Sequence, residues 1–335
     1  MKLEERCKAL VAELGLAKPN EVDTVEPLTG GVASDIAMVD LGHRKVCVKF
    51  ALPKLKVAED WHAPVHRNAT EYAWLQVASE AFPDSAIQLF GRSGSDHGFA
   101  MEYLEGDDIY LWKANLLSEA KPKGEAVKVA HLLGSIHAIS ATKGFDRQQF
   151  RNRDDFRALR IEPYLSFSRK RHPSLSKAIH DLEVMLYESQ TVLVHGDASP
   201  KNILFRDGSP ILLDAECATM GDACFDPAFC LNHLVLKAIH LSASRQTLMT
   251  EFAHFWTAYR PLISWENPDL LEQRVCALIP ILMLARVDGK SPVEYLSEDD
   301  RGVVRTISKS LIALPPTSIE QFSNTLAKHL PEESS

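Results

Sequence analysis

The sequence predicts an α+β protein of two lobes, a small antiparallel-sheet N-terminal lobe and a mainly helical C-terminal lobe. Three observations carry this. Short β-type runs alternate with turn signals over the first hundred residues. A polar stretch, Glu105-Gly106-Asp107-Asp108, follows Leu104. Beyond it the apolar residues recur with helical spacing, interrupted only over 191–214.

In chain order, strands are expected at Thr24–Leu28, Ile36–Leu41 and Lys45–Phe50, with turns at Thr29-Gly30-Gly31 and Gly42-His43-Arg44. A helix over Arg67–Ala78 and strands at Ala86–Phe90 and Phe99–Leu104 complete the first lobe. Residues 1–104 form that lobe, 105–110 the connector and 111–335 the second lobe. Helices are expected near Gly124–Ala141, Leu175–Ser189, Pro227–Leu241, Thr247–Tyr259 and Leu270–Val287, and Pro331–Ser335 as a free tail.

Composition narrows the function. The 335 residues include 37 Lys and Arg against 45 Asp and Glu, a formal charge of −8, which argues against a nucleic-acid partner. The 11 basic and 15 acidic residues up to Leu104 leave the same net −4 on each side, so the helical lobe holds no concentrated acidic bowl for a polycation. No apolar run reaches the roughly 18 residues of a membrane span, and the acidic start lacks a signal-peptide core, so a cytoplasmic protein without membrane attachment is expected. Six cysteines read as reduced core thiols. Cys224, Cys230 and His233 lack a Cys-x-x-Cys companion for zinc and sit among packing residues, and His131 and His137 read as packed or capped histidines. A homodimer is left open.

The segment 191–216 carries the chemistry. Ile203–Phe205 and Ile211–Leu213 flank an Asp-Gly turn and should pair as a hairpin centred near Gly208, setting Asn202 roughly opposite Asp214. An amide oxygen facing a carboxylate suits Mg²⁺ shared with phosphate oxygens. Asp197 precedes the hairpin, and Glu216 falls on the side of Asp214 if the chain stays extended.

Strand alternation places Val46, Val48 and Phe50 on one face of the third strand and Cys47 and Lys49 on the other. In the helix after it, Glu71 shares an apolar stripe with Trp74, Leu75 and Ala78. A buried Glu71 needs a cation, and Lys49 is the natural partner. Gly30 and Gly31 let backbone amides approach an anion, or simply make a turn. No Gly-x4-Gly-Lys-Ser/Thr or Gly-x-Gly-x-x-Gly occurs, so P-loop and Rossmann sites lack support.

His195-Gly196-Asp197, Asn202 and Asp214-x-Glu216 together resemble the aminoglycoside phosphotransferase and choline kinase superfamily, whose fold is protein-kinase-like. The resemblance implies ATP and Mg²⁺, with Asp197 orienting or deprotonating an acceptor hydroxyl, Asn202 and Asp214 holding the metal and Glu216 assisting. It also implies Lys49 on the ATP phosphates, held by Glu71, with Gly30 and Gly31 over them and Met101, Glu102 and Tyr103 in the adenine hinge. Asp226-Pro227 fits the superfamily element that seats the catalytic loop. The absence of Ala-Pro-Glu and the short Cys217–Phe225 segment favour a small-molecule hydroxyl acceptor over a protein. Ala51-Leu52-Pro53 is similar to methylthioribose kinases, which makes such a sugar the first expected acceptor; aminoglycosides, choline, homoserine and a catalytically silent relative are the alternatives. Arg286 and Asp288, near a helix end, would either bind acceptor hydroxyls or form a surface salt bridge with a helix terminus.

Overall fold

The computed structural model describes residues 1–28, 33–56 and 62–330. Five strands, β1 (Thr24–Pro27), β2 (Ser34–Asp40), β3 (Lys45–Ala51), β4 (Leu89–Arg92) and β5 (Gly98–Glu102), form an antiparallel sheet in the order β1-β2-β3-β5-β4. Val46, Val48 and Phe50 pack outward with Cys7, Leu10 and Val11 of α1 (Leu3–Glu13), while Cys47 and Lys49 face the cleft. The helix α1 is absent from the sequence reading although its apolar positions 7, 10 and 11 have helical spacing. On the cleft side, α2 (Arg67–Ala81) buries Glu71, Trp74, Leu75 and Ala78.

The chain enters the second lobe earlier than expected. Residues Ile109 and Tyr110, assigned to the connector, belong to β6 (Ile109–Leu111), which pairs antiparallel with the hairpin β8 (Ile203–Arg206) and β9 (Ser209–Leu212). A third small sheet joins β7 (Val192–Val194) to β10 (Thr219–Gly221). The segment after Glu216 is therefore buried in a strand pairing, with no exposed loop for a peptide to dock on.

Around these lie α3 (Trp112–Leu117), α4 (Glu125–Ser140), α5 (Arg153–Phe156), α6 (Phe167–Arg171), α7 (Ser176–Glu188), α8 (Phe225–His240), α9 (Arg245–Tyr259), α10 (Pro268–Asp288), α11 (Glu298–Ala313) and α12 (Ile319–His329). A π-helical stretch, Arg157–Ser166, runs between α5 and α6. The helix α8 is buried on every side except its last turn, as its near-continuous apolar sequence requires. No described helix is long and apolar enough to cross a membrane. The expected tail, Pro331–Ser335, lies outside the described residues, as do Gly30 and Gly31.

Candidate active site

The hairpin register differs from expectation by one residue. Ile203 pairs with Leu212 and Arg206 with Ser209, so Leu213 rather than Asp214 faces Asn202, and Leu213 N–H donates to the Asn202 carbonyl at 2.9 Å. The cause is a two-residue turn: Asp207 and Gly208 have φ of 52° and 74°, the primed geometry that matches strand twist. Asp214 then takes φ 68°, which ends the strand and turns its carboxylate into the cleft. Glu216 is consequently not an extended continuation of Asp214, yet it reaches the same cluster from another direction.

That cluster is built on Lys49. Its ammonium lies 2.7 Å from Glu71 Oε2, 2.5 Å from Asp214 Oδ1 and 3.1 Å from Glu216 Oε1. Burial alone would lower the lysine, but Asp214, Glu216 and Glu71 outweigh it and hold the ammonium well above its usual range. Burial likewise raises Glu71, with Lys49 opposing. For Asp214 burial is again the largest single influence and raises it, but Lys49 and Lys201 together overcome it and hold the acid well below the usual carboxylate range.

Arg67, which the sequence reading left without a role, completes the cluster. It is wholly buried, donating Nε to Glu216 Oε2 at 2.6 Å and its other nitrogens to the carbonyls of Ala33, Leu52, Ala63 and Pro64. Glu216 also accepts from Ser34, so both its oxygens are engaged. The signal was available: Arg67 stands four residues before Glu71 on the same buried stripe.

Asp197 sits in the loop between β7 and β8. The Asp226 carboxylate accepts the backbone N–H of His195 at 2.6 Å and of Gly196 at 2.9 Å, with His137 3.2 Å from the same oxygen as His195. Asp226 thus seats the loop, and the neutral ring of His195, lowered by burial, accepts Asp197 N–H at 3.1 Å. Gly196 has φ 78°, and a Cβ there would lie 2.8 Å from the Cys217 carbonyl. The Asp197 carboxylate is buried, 2.9 Å from Arg160 Nη2 and 3.4 Å from Lys201 Nζ. Arg160, also missed in the sequence, comes from the π-helical stretch, a distortion common at functional sites.

A cleft of about 370 Å³ opens between the lobes, lined by Leu28, Ile36 and Cys47 above, Leu204 and Leu213 below, and Met101, Glu102 and Tyr103 at the back. Lys49, Asn202 and Asp214 stand at its polar end. The Glu102 carboxylate is taken by Arg206 at 2.9 Å and Gln88 N–H at 3.2 Å, so its side chain ties the hinge to the hairpin. Asn202 Nδ2 donates to the Asp197 carbonyl at 3.1 Å, which leaves its amide oxygen for the cleft. With one Asp214 oxygen on Lys49 and the other open, these two donors fit a hard divalent cation; the three clustered carboxylates Glu71, Asp214 and Glu216 already surround an ammonium.

The acceptor-side expectations divide. Arg286 lines a small cavity beside the catalytic loop. Asp288 is instead held by His172 at 2.9 Å and Arg305 at 3.0 Å in a separate ion cluster, because the last turn of α10 points its side chain toward α11.

The fold is two-lobed and kinase-like, with a lysine-centred charge cluster in the cleft and a buried aspartate in the loop beside it. The chain belongs to the phosphotransferase enzyme family, whose sequence profile matches residues 24–264. Among solved structures it is similar to a choline/ethanolamine kinase family protein from Mesorhizobium loti, with 13% identity over 98% of this chain and 100% of that one and a TM-score of 0.54. A Plasmodium vivax ethanolamine kinase matches at 14% identity over 93% and 84%, TM-score 0.51. Choline kinase from Streptococcus pneumoniae matches at 15% over 98% of both chains, TM-score 0.50. These likenesses concern the fold. Curated protein sequences give no match.

Proposed function

We propose that the protein is an ATP- and Mg²⁺-dependent kinase that phosphorylates a hydroxyl of a small metabolite. The observation that carries this reading is the group Lys49, Asn202 and Asp214 at the polar end of one apolar cleft, with Lys201, which lines the same cleft, 3.4 Å from the Asp197 carboxylate. The apolar part suits a purine, with Met101 and Tyr103 lining it. Asn202 and Asp214 would hold the metal, whose charge offsets that of the phosphates. Glu216 serves by fixing Arg67 and Lys49.

In the transfer, the acceptor oxygen forms a bond to the γ-phosphorus as the bond to the β,γ-bridging oxygen breaks, and ADP leaves. Asp197 aligns the hydroxyl and receives its proton. Lys49 is held in the cleft by Glu71, and a phosphate would take the place of the Asp214 oxygen beside its ammonium. Lys201 stands between the nucleotide cleft and the acceptor side, where an ammonium offsets charge on the transferring group.

The test is ADP release from Mg-ATP over a panel of hydroxylated metabolites: methylthioribose, other pentoses, choline, homoserine, aminoglycosides and hydroxy acids. Asp197→Ala serves as the control. Turnover confined to the wild type establishes the reading; equal turnover in Asp197→Ala refutes it.

A further inference from the structure

The helix α8 does two things. Its first turn carries Asp226, which seats the catalytic loop, and two turns further on it presents His233 and Lys237, four residues apart and so on one face. That face meets Lys113 of α3, Lys201 of the loop that carries Asp197 and Arg286 of α10 around a small cavity of about 40 Å³. Four cations converge there on a single lining acid, Glu294, which is paired with Lys113.

Of the other polar lining groups, Lys201 pairs with Asp197, and the rest keep donors without partners. Lys237 is 1% exposed, and among the described residues its ammonium meets no acceptor, only the face of the Tyr295 ring at 4.9 Å. His233 Nε2, Arg286 Nε and the Tyr295 hydroxyl are each buried without a hydrogen-bond partner. Arg286 is held in place by Nη1, which donates to the Ser291 carbonyl at 2.5 Å, Ser291 Oγ at 2.9 Å and Tyr164 at 3.1 Å. Buried charges and donors are ordinarily satisfied, so a rigid cluster of unsatisfied donors of one sign is a receptor for acceptor atoms of the opposite sign. The space admits about three water-sized groups, the oxygens of a carboxylate or phosphate.

The geometry points to an acceptor that carries an oxyanion, a carboxylate or a phosphate ester, seated among Lys237, Arg286, His233 and Tyr295 so that its hydroxyl reaches Asp197. Lys201 links the two ends: it lines this cavity and lies 3.4 Å from the Asp197 carboxylate. The assignment rests on the phosphotransferase reading for its hydroxyl end, and on the cavity alone for its anionic end. A quaternary ammonium or polycationic acceptor would meet four like charges at this end.

Two measurements separate these ends. In the first, thermal unfolding is followed with malonate or inorganic phosphate against sodium chloride at equal ionic strength. Saturable stabilisation is expected in the wild type, lost in Lys237→Met and weakened about tenfold in affinity in Tyr295→Phe, a variant that removes one unpartnered hydroxyl. Lys177→Met, which alters an exposed lysine of α7, should keep the full effect. In the second, ADP release is compared for glycerate against glycerol, ribose 5-phosphate against ribose, and choline. The anionic member of a pair should exceed its neutral partner by about 10²-fold or more in kcat/KM, and Lys237→Met should erase that ratio through KM while KM for Mg-ATP stays unchanged. The better of the first two pairs identifies carboxylate or phosphate.

Equal stabilisation of wild type and both cavity variants, or preference for choline or the neutral partners, overturns the oxyanion site. Anion stabilisation lost in Lys237→Met, together with failure to bind Mg-ATP, upholds the site and retires the kinase reading instead. Where Mg-ATP binds and no panel member turns over, the unfolding series alone decides.

Discussion

Arg160 places Nη2 2.9 Å from Asp197 Oδ2 while its Nε donates to the Gly196 carbonyl at 2.5 Å, so one guanidinium fixes both the side chain and the backbone of the catalytic loop. Arg160 does not face the nucleotide cleft and acts by positioning. Arg160→Gln should lower kcat by about 10²-fold, the scale of a misplaced reacting group, with KM for Mg-ATP nearly unchanged. Arg160→Lys, which keeps the charge but not the fork, should recover only part of the loss. Steady-state kinetics on an identified acceptor checks this, and a rise in KM for Mg-ATP without loss of kcat would contradict it.

Asp214 should behave differently, because in the proposed reaction it would hold the metal rather than touch the acceptor. Asp214→Ala is expected to raise the Mg²⁺ needed for half-maximal rate by at least about tenfold and to weaken nucleotide binding as well. Titration of rate against Mg²⁺ at saturating ATP reads the first effect; an unchanged midpoint would remove Asp214 from the metal site.

The wholly buried Arg67 holds one carboxylate and four carbonyls. Arg67→Met leaves them without their donor and should destabilise by about 3–5 kcal/mol, the cost of breaking a buried pair from one side. Adding Glu216→Gln should recover part of the loss. Chemical denaturation of the single and double variants gives the coupling.

How much of this was legible in the sequence depended on distance along the chain. Lys49, Glu71, Asn202 and Asp214 are placed by local rules, strand alternation, helix stripe and hairpin pairing, and the structure brings them together. The hairpin register slipped by one because centring on Gly208 assumed a turn with a single apex, whereas Asp207 and Gly208 share it. Arg160 and Lys237 carry no local signal of this kind. A charged residue reads as solvated unless its partner is known, and these partners come from elements far apart in sequence. His233 is buried as its packing neighbours predict, yet it lines the cationic cavity and its Nε2 has no hydrogen-bond partner. His137 is packed as expected, 2.6 Å from the Tyr259 hydroxyl.

Two glycines should respond oppositely to alanine. At Gly196 a Cβ would meet the Cys217 carbonyl at 2.8 Å with φ at 78°, so Gly196→Ala should cost more than about 1–3 kcal/mol of backbone strain and disturb turnover. Gly302 lies inside α11 with open space around it, and Gly302→Ala should stabilise by about 0.5–1 kcal/mol. Melting temperatures of the two variants, measured side by side, test both.

Lys237 makes stability depend on pH. Burial first, then Lys113 and Arg286, push its ammonium down to about 7, with Cys230 and Glu294 opposing and His233 neutral beside it. The unfolded chain keeps that proton up to the usual lysine range near 10.4. Between these values the unfolded state binds more protons, so this residue's contribution to stability rises with pH from about 7 upward, and its penalty is full below. Lys237→Met should flatten that slope and stabilise the anion-free protein by about 1–4 kcal/mol at neutral pH. Denaturant midpoints from pH 6 to 10 test it: parallel curves for the two proteins would exclude Lys237 as the source.

The pairing of β6 with β8 stitches the chain into the catalytic hairpin within a few residues of the hinge. Residues 103–108 connect the lobes between β5 and β6, with Gly106 at φ 134°, and the hairpin that follows Asn202 is paired into the helical lobe through β6. Parting the lobes must then pull Lys49 and Arg67 away from Asp214 and Glu216, exposing opposite charges that now neutralise one another. The jaws are latched by their own ions before any nucleotide enters, and an incoming triphosphate would have to exchange with a carboxylate for the same lysine.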